Sequence, residues 1–174
     1  MNNVFDRIIS FLTEIDLPFH LEPLDESTFL PGLKMRDGAL VIDTAKLLYP
    51  GDILHEAGHL ACMPLDIRQQ MSGDLEDSDI HRGGEMMAIA WSYAAAVFLK
   101  IDPKVVFHDM GYKGGADNIL SSFNKGTYLG LPLLQWSEMS YDQAAAAELS
   151  IKPFPHMRRW LCDNNRLQCS VSSS

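Results

Sequence analysis

Two histidines and a glutamate stand close together in the segment ILHEAGHLAC, residues 53–62. His55 and His59 are four residues apart, and Glu56 directly follows the first histidine. On an α-helix, residues four apart lie on one face, a turn above each other, so both imidazoles can point at one ion. Zinc binds imidazole nitrogen at about 2.0–2.1 Å and takes four ligands, one of which is water in catalytic sites. The spacing therefore predicts a Zn²⁺ site with His55 and His59 as two of its ligands.

Glu56 is the candidate catalytic residue of this motif. A divalent metal lowers the pKa of the water that it holds to roughly 7, and a neighbouring carboxylate can take the proton as the water attacks a carbonyl. The alternative is that three polar groups meet by accident beside a core. Apolar residues surround them on the predicted helix, and buried histidines without a partner would cost several kcal/mol, as unsatisfied polar groups in an apolar environment do. That cost favours the metal site.

The third ligand must come from elsewhere in the chain. The metzincin continuation HExxHxxGxxH requires a glycine at position 62 and a histidine at position 65, where this chain has Cys62 and Leu65. The other common solution is a glutamate from the next helix. Glu85 opens a long apolar run 26 residues beyond His59 and is the favoured candidate. The alternatives are His81 above all, then Glu76, Asp77 and Asp79.

Small residues on both predicted helices would let them approach closely. Gly58 lies inside the HExxH segment, although glycine costs about 1 kcal/mol relative to alanine in a helix. Alanines stand at 88, 90, 94, 95 and 96 on the second helix. Close packing of these two helices would bring Glu85 to the histidines.

The order of predicted elements is that of an α+β protein. Apolar spacing and turn residues predict an amphipathic helix over 3–16, a β-hairpin within 28–43 around Asp37-Gly38 and a helix over about 52–62. The stretch 65–84 reads as a loop with one short helical piece. Ser78 or Asp79 is expected to begin a helix that runs to about Lys100. Ser140 and Gln143 predict a capped helix, and 155–163 a last one. We expect one domain over 1–165 and a disordered tail over 166–174.

Composition limits the partners and the compartment. Fourteen basic and 23 acidic residues give a net charge of −9, which disfavours direct binding of nucleic acid. The longest apolar run, Met86–Leu99, is shorter than the roughly 18 residues that a membrane span needs. Three cysteines without a CxxC pair are typical of free thiols in a reducing cytoplasm. We therefore predict a cytoplasmic protein without a membrane segment, whose oligomeric state the sequence leaves open.

The HExxH motif and the apolar run after it resemble a known family. ILHEAGHLA followed by GGEMMAIAWSYAAAVFL is similar to the ImmA/IrrE family of small cytoplasmic gluzincin metallopeptidases, over a stretch from about Gly38 to Leu99. The family pattern is HExGH and then a helix with a glutamate followed by small and apolar residues. The resemblance implies a small zincin-like domain in which His55, His59 and Glu85 bind zinc. It also implies Glu56 as general base and a protein or peptide as substrate.

The sequence leaves two functions open. The first is a zinc-dependent peptidase that hydrolyses a peptide bond with metal-activated water and Glu56 as base. The alternative is a zincin-fold regulatory or binding module whose metal is structural. A peptidase also needs a donor for the oxyanion, and the sequence does not choose among Tyr93, His108, Tyr112, Tyr128 and His156. An extended substrate is expected to add to an exposed edge of the strand ALVID, residues 39–43.

Overall fold

The protein is built of helices around one small sheet. The structure, a computed structural model, describes residues 3–73 and 79–163, and for 79–82 the backbone alone. In chain order the elements are α1 Val4–Glu14, β1 Phe19–Leu21, β2 Leu33–Arg36, β3 Ala39–Ile42, α2 Gly51–Ala61, α3 Leu65–Arg68, α4 Asp79–Phe98, α5 Ala116–Asn124, α6 Leu131–Trp136 and α7 Gln143–Glu148, with short 3₁₀ turns at Pro103–Val105 and Tyr112–Gly114. The predicted α+β class is confirmed. The predicted tail, 166–174, lies outside the described residues.

The N-terminal helix α1 forms where the apolar spacing predicts it. Asn3 caps it, because its side-chain oxygen accepts a hydrogen bond from the N–H of Phe5. Ile8, Phe11 and Leu12 are buried on the inner face. The Phe11 ring meets Trp160 edge-on with centroids 4.9 Å apart, which ties α1 to the C-terminal part of the chain.

The sheet has three strands in the order β1-β3-β2. The predicted hairpin is confirmed: β2 and β3 pair antiparallel, and both turn residues, Asp37 and Gly38, have positive φ, as the tight primed turns require. The short strand β1 was not predicted, and it pairs parallel with β3. Since β3 has a neighbour on each side, the expectation that a substrate adds to the edge of ALVID is wrong. The sheet edges belong to β1 and β2.

The closest helix contact is between α2 and α4. A Cβ on Gly58 would lie 3.0 Å from the Cα and from the carbonyl oxygen of Ala88, so the two backbones nearly touch at this point. The small residues on both helices allow this approach, as predicted. Glu85 lies about one turn before Ala88 on α4 and is thereby carried to α2. None of the described helices, α4 included, combines the length and the apolar character of a transmembrane span.

The prediction of a last helix over residues 155–163 is wrong. The backbone there bonds to distant segments instead of to itself: Arg158 N–H donates to Met139 O at 2.9 Å, and Cys162 N–H donates to Ala61 O at 2.8 Å. The cap of α7 also differs from the prediction. Asp142, and not Ser140, accepts the hydrogen bond from Ala145 N–H.

Arg68 joins the end of α2 to the C-terminal segment. Its buried guanidinium donates to three backbone carbonyls: Leu60 at 2.8 Å, Met63 at 3.0 Å and Cys162 at 2.9 Å. The first two belong to the last turn of α2 and the residues after it, where carbonyls lack helical partners and a positive charge is favoured. The C-terminus of the histidine-bearing helix is therefore held in place from outside.

Candidate metal centre

Three of the predicted residues meet at one point between α2 and α4. His55 and His59 lie one turn apart on α2, and their Nε2 atoms are 3.2 Å apart. Glu85 reaches them from α4, with Oε2 at 3.1 Å from His59 Nε2 and at 3.5 Å from His55 Nε2. These three side chains are the one group of metal-ligating residues found among the residues that the structure describes.

The three separations fit a metal ion held between the atoms. At bonds of about 2.0–2.1 Å, two ligands of a tetrahedral ion lie about 3.3 Å apart. The observed edges of 3.1, 3.2 and 3.5 Å scatter around that value. Nε2 atoms that carry no proton would turn their lone pairs towards each other and towards the Glu85 carboxylate. A cation or a proton must lie between such groups to make the arrangement favourable, and the ligand set suits zinc.

The site is closed on the histidine side and open on the glutamate side. The side chains of His55 and His59 are 13% and 6% exposed, whereas that of Glu85 is 44% exposed. Burial disfavours the charged form of Glu85, but hydrogen bonds with both histidines hold its pKa well below the usual range. Glu85 is therefore an anion, and the opening beside it gives solvent and ligands a way in.

Glu56, the predicted base, follows His55 on α2 and is half-buried. Its position on the helix is the one that the motif predicts, next to a ligand and not among the three converging atoms.

Tyr112 is the one oxyanion candidate that contacts a ligand histidine in the described residues. Its hydroxyl lies 2.9 Å from His55 Nδ1, and the two rings meet edge-on. Burial first, and then the nearby carboxylates, raise the pKa of Tyr112 far above its ordinary value, so the hydroxyl keeps its proton. Both Tyr112 and Lys113 have positive φ, at 55° and 50°. Such a conformation costs on the order of 1–3 kcal/mol for each residue, a cost that is typically met at functional positions.

Asp52 and His108 form a second polar pair near the site. His108 Nε2 lies 2.8 Å from Asp52 Oδ1, and the imidazole stacks on Tyr49 with centroids 4.0 Å apart. Burial raises the pKa of Asp52, and the hydrogen bond from His108 offsets part of that rise. His108 is among the predicted oxyanion donors, whereas Asp52 was not predicted as a site residue. The signal for Asp52 was its position three residues before His55, on the same helix face.

A close backbone contact brings His108 and Tyr112 to α2, the helix that carries Asp52 and His55. A Cβ on Gly51 would lie 2.0 Å from the carbonyl oxygen of Val105, so only glycine lets the segment after α4 cross the start of α2. The chain beyond Val105 then supplies both His108 and Tyr112. Neither position can be predicted from helical spacing, because both lie in a loop.

The remaining candidates lie elsewhere or outside the described part. Tyr93 and Tyr128 pack in an aromatic cluster, where each stacks edge-on against Phe123. His156 is exposed, and its carbonyl accepts a hydrogen bond from Ser140. Among the rival third ligands, Glu76 and Asp77 lie outside the described residues, as do the side chains of Asp79 and His81.

Comparison with known proteins returned no match from family models, from curated proteins or from solved structures. The function of the protein is therefore inferred from the geometry of His55, His59, Glu85 and their neighbours.

Proposed function

We propose that this protein is a zinc-dependent peptidase of the ImmA/IrrE type, with Glu56 as general base. The observation that carries the proposal is the convergence of His55, His59 and Glu85, whose ligand atoms are separated by 3.1–3.5 Å. A divalent ion at this point would supply Lewis-acid polarisation of a carbonyl and would make water acidic enough to be a nucleophile near neutral pH.

The side chains around the proposed ion have different roles. His55, His59 and Glu85 would hold it. Glu56 accepts the proton of the attacking water and returns it to the leaving amine, which a carboxylate beside the ion can do. The open side next to Glu85 admits the substrate, which we propose to be a peptide or a protein segment.

Location in the cytoplasm is part of the proposal. The side chains of Cys62 and Cys162 are buried thiols and not a disulfide pair, which is typical of a reducing compartment. A net charge of −9 supports a partner other than nucleic acid.

Glu56→Gln tests the peptidase directly. The purified variant is expected to bind about one zinc per chain, as the wild type does, and to lose hydrolysis of a peptide library by a factor of 10² or more, because general-base catalysis contributes about 10²–10⁴-fold. Glu85→Gln is the matched carboxylate-to-amide control on the facing helix, and it should lose metal as well as activity. Metal content is read by atomic emission and cleavage by mass spectrometry, with a chelator control.

Two results would contradict the proposal in different ways. Undiminished cleavage by Glu56→Gln would show that Glu56 is not the general base and would refute the proposed mechanism. A wild type that holds zinc and cleaves no peptide would favour the alternative, a regulatory or binding module with a structural metal.

A further inference from the structure

The two ring nitrogens of His55 face different neighbours. Its Nε2 points to the centre, at 3.2 Å from His59 Nε2 and 3.5 Å from Glu85 Oε2. Its Nδ1 points away from the centre and lies 2.9 Å from the hydroxyl oxygen of Tyr112. The hydrogen bond at Nδ1 therefore influences whether Nε2 can bind a metal.

A neutral imidazole carries its proton on one nitrogen only. To bind a metal through Nε2, His55 must carry the proton on Nδ1 and donate it to a hydrogen-bond acceptor. The oxygen of Tyr112 is the acceptor at the right place. Since that oxygen keeps its own proton, the Tyr112 hydroxyl needs an acceptor in turn.

Ser92 on α4 is the polar side chain next to Tyr112 on the other side. It is fully buried, and its hydroxyl lowers the pKa of Tyr112 slightly, against the larger effect of burial. The Ser92 hydroxyl in turn donates to the carbonyl of Ile89 at 3.1 Å. A carbonyl can only accept, so the Ser92 hydroxyl donates its proton to Ile89 and keeps its lone pairs for a donor such as the Tyr112 hydroxyl.

The backbone at Tyr112 is held in a conformation that bulky residues rarely adopt. Its φ is 55°, and that of Lys113 is 50°. Such a conformation persists only where the surrounding structure imposes it. Here it sets the Tyr112 ring edge-on to His55, with centroids 5.3 Å apart.

We propose that Tyr112 is a positioning residue, which holds His55 in the tautomer and orientation that leave Nε2 free for a divalent metal, and that it is not the oxyanion donor. Ser92 supports it from α4, the helix that also carries Glu85. This inference rests on the metal site of the proposed function, and it is independent of peptide hydrolysis.

Tyr112→Phe removes the hydroxyl and keeps the ring. Zinc affinity of the purified variant, measured by competition with a chromophoric chelator, is expected to fall about 10–100-fold, the usual effect of losing the outer partner of a ligand histidine. Tyr128→Phe is the matched control, because the same atom is removed from a ring in the aromatic cluster away from the site, and its zinc affinity should equal that of the wild type. Equal affinity in Tyr112→Phe and the wild type would overturn the inference.

A second measurement separates positioning from a merely structural role. In the zinc-loaded wild type, ¹⁵N–¹H NMR spectra should show a slowly exchanging His55 Nδ1 proton, because it is hydrogen-bonded to Tyr112, and Tyr112→Phe should speed its exchange with solvent. Equal exchange rates of this proton in both proteins would contradict us. If Tyr112→Phe does not fold, Ser92→Ala takes its place: it leaves the tyrosine ring untouched and should still weaken zinc binding several-fold.

The inference and the proposed function can fail separately. Zinc binding without any peptide cleavage would refute the proposed peptidase function and would not affect the proposed role of Tyr112. Unchanged zinc affinity in both Tyr112→Phe and Ser92→Ala would remove that role and leave the peptidase intact.

Discussion

Asp43 fixes the backbone where the sheet ends and the approach to α2 begins. One of its carboxylate oxygens accepts from Leu24 N–H at 3.0 Å, and the other accepts from Ala45 N–H at 3.0 Å. Its own carbonyl accepts from Leu47 N–H at 2.9 Å. The side chain is almost completely buried, so these bonds replace those that water would make.

The hydrogen bonds of Asp43 predict a pH-dependent loss of stability. The bond from Leu24 N–H is the main cause that lowers its pKa in the folded state, against the opposing effect of burial. A lowered pKa stabilises the fold at a pH above the ordinary aspartate value of about 3.9, and this contribution disappears as the pH falls through the folded-state pKa. Asp43→Asn should therefore lower the melting temperature at pH 7, and the difference from wild type should shrink below about pH 3.9.

Thermal unfolding followed by circular dichroism across this pH range measures the effect. Asp109→Asn, at an exposed aspartate, is the matched control and should leave the melting temperature nearly unchanged at every pH. A difference for Asp43→Asn that stays constant from pH 7 to the most acidic pH would contradict the assignment.

At the scale of elements, the contact of α2 with α4 decides where Glu85 lies. The predicted positions of α1, α2, α4 and the hairpin are confirmed, because each depends on local periodicity or on the residues of a turn. The three ligand residues are found together for the same reason: His55 and His59 share a helix, and small residues bring α4 close. Helical spacing and the positions of small residues can be read from sequence segments of a few helical turns.

The predictions that are wrong or incomplete concern segments that take their structure from distant partners. Strand β1 is three residues long and forms only because β3 is beside it. Residues 155–163 have helical composition, but their N–H groups bond to Met139 and Ala61. The contact of Tyr112 with His55 could not be predicted, since the place of Tyr112 depends on how a loop crosses the start of α2. The local sequence pattern of these segments does not show which distant residues they contact.

Two alanine substitutions at helical glycines should have opposite effects. Gly58→Ala places a Cβ 3.0 Å from backbone atoms of Ala88, and overpacking of about 1–3 kcal/mol exceeds the gain of about 1 kcal/mol in helix propensity. Gly83→Ala on α4 meets only a Leu133 methyl group at 4.0 Å, and it should stabilise the protein by up to about 1 kcal/mol. Chemical denaturation measures both. Stabilisation by Gly58→Ala would show that the two helices are farther apart than described.

For the molecule as a whole, we expect binding of the proposed metal to be linked to folding. A ligand that binds only the folded state stabilises it by about 2.7 kcal/mol at 100 times its dissociation constant. At about 2–4 °C per kcal/mol for a protein of this size, zinc is expected to raise the melting temperature by about 5–10 °C, and a chelator should reverse the rise. Differential scanning calorimetry with and without zinc is the measurement.

His59→Ala is the control for this experiment. With one of the three ligands removed, its melting temperature should respond little to zinc or to the chelator. A wild-type protein that melts at the same temperature with and without zinc would argue against a resident ion at His55, His59 and Glu85.

The unequal burial of the three candidate ligands has a consequence for how a bound ion would exchange with solvent. Both imidazoles are fixed in the interior, while the Glu85 side chain is 44% exposed and belongs to the other helix. A change of side-chain rotamer at Glu85 would open the proposed coordination sphere towards solvent without separating α2 from α4. We therefore expect loading and release of the ion on the timescale of side-chain motion and dissociation from two imidazoles, with no need for the protein to unfold.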